Sequence, residues 1–360
     1  MKNLKILISV CILIGISSFA FAEGAEHTTL AGSEFAYYFD HNYGYDQLGG
    51  FIPPDYSPVE TPSIFSPAAG DFANTEPRSL GSGWGSVELQ VFLKHRIKMP
   101  FLQGENGLVA DNNVQFNFDL YVAPVAAYAK ASATITPIAF LNFNAGAMLG
   151  SGWNAVIFNG VGNNVEGDID ETSFPGVVTE LFGSSTFQFD LAALVPGEWN
   201  HVVTQINGKF NYSNFSTDEA MAGGAWQWLA DSGENINGWE FKGTYFLGYQ
   251  MPIVADTVGF LVETSQQIGA ESQLSTMAGP DGDASTLADN GWGSDFVEVT
   301  FGPLVNFTFN EHNSLTVLAQ FKTGMDYTND TIFNQYYQNR VYEASFVKFN
   351  RIALAYTYKI

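Results

Sequence analysis

From Ser86 to Ile360 the chain alternates apolar and polar residues. Val87, Leu89, Val91, Leu93, Ile97 and Met99 share one parity, and Glu88, Gln90, Lys94, Arg96 and Lys98 share the other. Trp239, Phe241, Tyr245, Leu247, Tyr249 and Met251 alternate in the same way with Glu240, Lys242, Thr244 and Gln250. The final stretch repeats the pattern with Ile352, Leu354, Tyr356, Tyr358 and Ile360. Successive side chains of a strand point to opposite faces, so a period of two predicts strands with one greasy and one polar side. Helical spacing is nearly absent. The alternation predicts ten strands, over 86–101, 113–136, 139–151, 185–195, 198–213, 237–251, 254–267, 294–309, 314–324 and 340–360.

The connections carry as much information as the strands. Those near Thr136–Ile138, Val195–Gly197, Met251–Ile253 and Asn310–Asn313 are tight, whereas 102–112, 152–184, 214–236, 268–293 and 325–339 are long. Alternation of long and short connections is expected of a meandering barrel in a membrane, with short turns at one end and long loops at the other. A greasy strand at the very end of the chain fits the same picture, because the last strand of a barrel must pair on both edges. One segment is ambiguous. Within 113–136 the apolar parity switches near Pro124, from Val114, Phe116, Phe118, Leu120 and Val122 to Ala127, Ala129, Ala131, Ala133 and Ile135. A bulge at the proline accounts for the switch. So does a turn between two strands, which would spoil the alternation.

The amino terminus predicts a secretory leader over 1–22, with Lys2 and Lys5, an apolar run from Ile6 to Phe19, and a cleavage site at Ala20–Ala22. The single cysteine, Cys11, falls inside it, so disulfide and thiol chemistry are not expected of the mature chain. Residues 23–85 contain six prolines between Pro53 and Pro77 and read as an irregular extension, a plug, or one or two further strands. Without Lys2 and Lys5 the chain keeps 12 of its 14 Lys and Arg against 37 Asp and Glu, a balance of −25, which argues against nucleic acid as a partner. Aromatics reach 15% while charged residues are only 14%, a composition that suits a wall with one side in lipid.

These features together resemble bacterial outer-membrane β-barrels of the porin type. The residues that carry the likeness are the Ala20–Ala22 site, the amphipathic strands and the closing alternation from Ile352 to Ile360. The segments Lys98–Gly107 and Thr136–Leu141 are also similar to uncharacterised spirochaete-type outer-membrane proteins. The terminal Ile360 departs from the usual phenylalanine. The resemblance implies an all-β antiparallel meander forming a transmembrane barrel of about ten strands, within about 8–14, over 86–360. It also implies a lipid bilayer and barrel-assembly machinery as partners, with small polar solutes passing through and homo-oligomers possible. Three other readings stay open: a structural surface protein that does not conduct, a surface adhesin or antigen using its long acidic loops, and a secreted carbohydrate-binding β-sandwich.

A charge on the lipid side costs about 2–4 kcal/mol at mid-depth, so the charged row should face the lumen. That row comprises Glu88, Lys94, Arg96, Lys98, Glu240, Lys242, Glu263, Glu298, Lys322 and Arg351. Lys242 is expected opposite Glu263, Glu298 opposite Lys322, and Arg351 beside Lys94 and Arg96 in a basic patch. The long connections hold 17 acidic residues and no Lys or Arg. Among them Asp168, Asp170, Asp281 and Asp283 have a spacing faintly like a calcium loop but lack its glycine and terminal glutamate. Trp239, Tyr249, Tyr356 and Tyr358 read as interfacial girdle residues. No cofactor motif is present, and catalysis is not expected. His27, His41, His95 and His312 are poorly placed for a general base, and His201 is the one plausible candidate, without a visible Ser or Asp partner.

Overall fold

The computed structural model describes residues 24–39, 86–155, 158–165, 168–169, 172–224, 226–229, 235–268, 297–328 and 341–360. Twelve antiparallel strands close into one barrel. They are β1 (Glu26–Tyr38), β2 (Ser86–Pro100), β3 (Asn113–Ala123), β4 (Ala126–Ile138), β5 (Leu141–Gly152) and β6 (Val178–Asp190). They continue as β7 (His201–Phe215), β8 (Gly238–Gln250), β9 (Thr257–Ile268), β10 (Glu298–Thr308), β11 (Asn313–Thr328) and β12 (Val341–Lys359). Each strand pairs with its chain neighbours, and β1 closes the ring by pairing with β12 from Leu30 opposite Lys359 to Tyr38 opposite Arg351. A closed barrel excludes the β-sandwich alternative.

Two strands were not legible as such. The first, β1, lies in the segment expected to be irregular. Its outward row is His27, Thr29, Ala31, Ser33, Phe35 and Tyr37, too small and polar to show a greasy period. The second arises because 113–136 is a hairpin, not one bulged strand: Pro124 and Val125 form a two-residue turn between β3 and β4. Proline suits a turn because its φ is preset and its missing N–H leaves no ladder bond unmade. β6 also begins earlier than 185, its first half hidden because Gly183 and Ser185 interrupt the greasy outward row, and it ends at Asp190 in a short 3₁₀ turn over Leu191–Ala193.

These changes revise the long-short alternation. Connections 101–112, 139–140, 191–200, 251–256 and 309–312 share one end, here the turn end. The loop end carries 39–85, 124–125, 153–177, 216–237, 269–297 and 329–340. The expected long connection at 102–112 therefore joins the short ones, while the tight 124–125 turn sits among the long. The expected leader and most of the segment 23–85 lie outside the described residues.

The wall is polar inside and greasy outside. Outward Val91, Phe210, Leu247 and Leu149 are each more than half exposed, a surface that soluble proteins rarely present in one continuous band. The buried apolar cluster sits at the loop end instead. There Met148, Val178 and Phe215 on the inner faces of β5–β7 pack against Val161, Ala220 and Trp226 from the two connecting loops. The loop strand Val161–Val165 pairs with Trp226–Trp228, and a short helix, Asp218–Met221, is capped by the Thr217 hydroxyl. Asn163 holds the loops together by accepting from Thr217 at 2.7 Å and donating to Glu219 at 3.2 Å. Gly160 lets the chain run against the β3–β4 turn, where any Cβ would collide with the Val125 carbonyl. The loops thus form a cap seated inside the mouth over β4–β7. Replacing Trp226 with Ala should expose 153–177 and 216–237 to added protease while the barrel keeps its heat-modifiable gel migration. Equal protease resistance in the variant would contradict a cap held by this core.

Candidate functional site

Among the described residues, charged side chains converge on the inner wall. All ten residues expected there do share the inward parity: Glu88, Lys94, Arg96 and Lys98 on β2, Glu240 and Lys242 on β8, Glu263 on β9, Glu298 on β10, Lys322 on β11 and Arg351 on β12. The register adds Glu34, Asp119, Lys130, Glu180 and Lys209 to the same row. Lys130 was legible, since it takes the parity opposite the alanine row of β4. Glu34 was not, because nothing in β1 marks its faces.

Their pairing divides the wall in two. Along β8–β11 the ions are tightly matched, with Lys242 Nζ 2.9 Å from Glu240 and Lys322 Nζ 2.8 Å from Glu298. Lys242 pairs along its own strand and not with Glu263, which lies across from Thr244. Along β2–β7 three lysines sit on rings. Lys94 Nζ lies 4.0 Å from the Phe92 ring centre and 3.8 Å from Glu34. Lys130 and Lys209 flank Phe182 at 4.7 and 4.6 Å, and the nearest carboxylate to Lys209, Glu180, is at 4.0 Å. The Phe182 ring reaches over Gly146 of β5, where a Cβ would come within 2.6 Å of its Cζ. Tyr121 and Tyr128 stack at 4.5 Å on this side, and Tyr128 meets Trp228 of the cap edge-on.

Arg351 is remote from Lys94 and Arg96, contrary to expectation, because β1 intervenes and places it opposite Tyr38. It anchors a chain of bonds across the closing seam. Arg351 donates to the Tyr38 hydroxyl at 2.8 Å and to Gln320 at 2.6 Å; Tyr38 donates to Glu88 at 3.0 Å, and Gln320 to Glu263 at 2.7 Å. From the other side Tyr128 donates to Gln90, which donates to Glu34. Five strands, β1, β2, β9, β11 and β12, are therefore tied by Arg351 and its partners alone. Arg351→Ala should lower unfolding stability by about 1.5–3 kcal/mol, the range for a lost charge-assisted bond, seen as a lower urea midpoint in lipid vesicles. A midpoint equal to that of the parent would contradict a bracing role.

The girdle candidates all face outward near strand ends: Trp239 at the loop end, and Tyr249, Tyr356 and Tyr358 at the turn end. Tyr249 donates to the Trp199 carbonyl at 2.7 Å. Of the calcium candidates, Asp168 lies in a two-residue strand, while Asp170, Asp281 and Asp283 fall outside the described residues. Among the described residues no group of three His, Cys, Asp or Glu could hold a metal ion. His201 does have a partner, contrary to the sequence reading: Asp190 at the end of β6 lies 2.6 Å from its Nδ1, at the turn-end rim. His95 faces outward and contacts His27 at 3.3 Å and Thr29 at 3.0 Å. His41 lies outside the described residues.

No family model and no curated protein sequence matches the chain. Solved structures similar to it include the KdgM porin, at 8% identity and a TM-score of 0.31 over 74% of this chain and 92% of that one. An outer membrane channel from Pseudomonas putida F1 aligns at 8% identity and TM-score 0.39, over 92% and 95% of the two chains. Outer membrane phospholipase A from Escherichia coli aligns at 8% identity and TM-score 0.34, over 91% and 95%. At these scores the neighbours' activities have no bearing on this chain, and the spirochaete-type likeness finds no counterpart among them.

Proposed function

We propose that this chain is a transmembrane β-barrel of a bacterial outer membrane that lets small hydrophilic solutes pass. The observation that carries the reading is the inversion of polarity around a closed wall, with outward Leu89, Val91 and Leu93 between 45% and 53% exposed and their neighbours Glu88, Lys94 and Arg96 turned inward. In water such an outer band would aggregate; in hydrocarbon it is the favourable solution, and closure leaves no strand edge unpaired. Strands of 11 residues or more are long enough for the roughly 9–11 needed to cross a bilayer at a tilt. Twelve strands also enclose more space than the eight whose interior side chains just fill. In this reading Trp239, Tyr249, Tyr356 and Tyr358 lie at the two headgroup levels, where amphipathic rings are favoured.

The inner wall suits polar solutes because its two sides differ: matched ion pairs along β8–β11, ring-seated cations along β2–β7. A solute with separated charges would orient across the passage. Planar-bilayer recordings test the function directly. The wild-type barrel should conduct ions. Ser184→Trp, placed on the inward row of β6, should reduce unit conductance severalfold, while Ser185→Trp, one residue on and outward, should leave it near the parent value. A folded barrel that conducts nothing would overturn the proposal.

A further inference from the structure

A carboxylate partner and an aromatic partner fix a lysine in different ways. The carboxylate cancels its charge, whereas a ring holds the ammonium in place and leaves the charge and its remaining N–H donors for a third group. By that criterion the lumen lysines fall into two classes. Lys242 and Lys322 are cancelled at 2.9 and 2.8 Å. Lys94, Lys130 and Lys209 are seated on Phe92 and Phe182 with carboxylates at 3.8 Å, beyond 4.0 Å and at 4.0 Å respectively. Lys130 has no ion pair among the described residues.

The arrangement also works against stability. Lys209 lies directly across the β7–β8 ladder from Lys242, a like-charge juxtaposition that destabilises a sheet. Lys130 reaches the same ring as Lys209 from the other side. Asp119 stands between Lys94 and Lys130 in the register and is one carboxylate facing two cations. Three ammonium groups are thereby held around β2–β7, seated on rings and with N–H donors left toward the passage.

We propose that Lys94, Lys130 and Lys209 form an anion-binding arc, and that the solutes favoured in transit are small organic anions bearing a carboxylate. The inference rests on the channel reading above. The acidic loop end, whose connections 153–177 and 216–237 hold eight Asp and Glu and no Lys or Arg, does not cancel the arc. Fields from exposed charges are largely screened beyond about 8 Å at physiological salt.

Bilayer recordings at about 0.15 M salt, with potassium lactate as the probe, test the arc. The wild type should pass lactate in preference to potassium, with a current that saturates as lactate rises. Lys130→Gln combined with Lys209→Gln should lower the anion-to-cation permeability ratio by about threefold or more and abolish the saturation. Phe182→Leu, which changes no charge, should weaken saturation because Lys130 and Lys209 lose their seat, while Ser185→Gln on the outward row of β6 should change neither. If the double lysine variant does not reach the folded, heat-modifiable form, Lys130→Gln alone serves. A wild-type channel that prefers potassium, or lactate currents unchanged in the lysine variants, overturns the arc and leaves the channel reading standing. A folded wild type without conductance overturns both.

Discussion

The pairing of Glu26–Tyr38 with Ser86–Pro100 on one side and Val341–Lys359 on the other removes the edges from this sheet. Without it, β2 and β12 would each present a row of unpaired amide and carbonyl groups. In water those groups find solvent, or another chain. In hydrocarbon they find nothing, and each costs several kcal/mol. The seam is accordingly braced twice, by its backbone ladder and by the Arg351–Tyr38–Glu88 bonds across its inner face. Everything the lumen can do follows from a wall that is closed.

Closure also explains where the ordinary kind of core has gone. A soluble domain buries its greasy residues against one another; here they point away from the molecule, and the inside is left to side chains that hydrogen-bond. The packed cluster of Val161, Val178, Phe215 and Trp226 forms where the loops fold back into the mouth. It covers the loop end over β4–β7, the sector whose inner wall carries Lys130 and Lys209. The two rings that hold the lysines each lie against a position without a side chain, Phe182 against Gly146 and Phe92 against Gly32.

Much of this was legible in residue order, for one physical reason: a membrane wall must alternate, so its polarity is written locally. The faces of β2, β8 and β12 could be read directly, and with them the inward placement of Lys94, Lys242 and Arg351. β1 could not, since its outward row includes Thr29, Ala31 and Ser33 and its strand identity comes from what it pairs with. The β3–β4 hairpin was obscured because a two-residue turn and a bulge produce the same parity switch at Pro124. Partners were harder than faces. Which carboxylate meets Lys242, or which strand separates Arg351 from Lys94, depends on register across the barrel, a property that no single segment holds. The His201–Asp190 contact was hidden for the same reason, as it spans the turn between β6 and β7.

The claim beneath all of this is that β8 has lipid on one side and water on the other. Single cysteines introduced along Trp239–Tyr249 in the protein reconstituted into vesicles, then treated with a charged thiol reagent, measure that directly. The account predicts a period of two, with rapid labelling at positions 240, 242 and 244 and slow labelling at 241, 245 and 247. Uniform labelling along the strand, or the opposite phase, would contradict it.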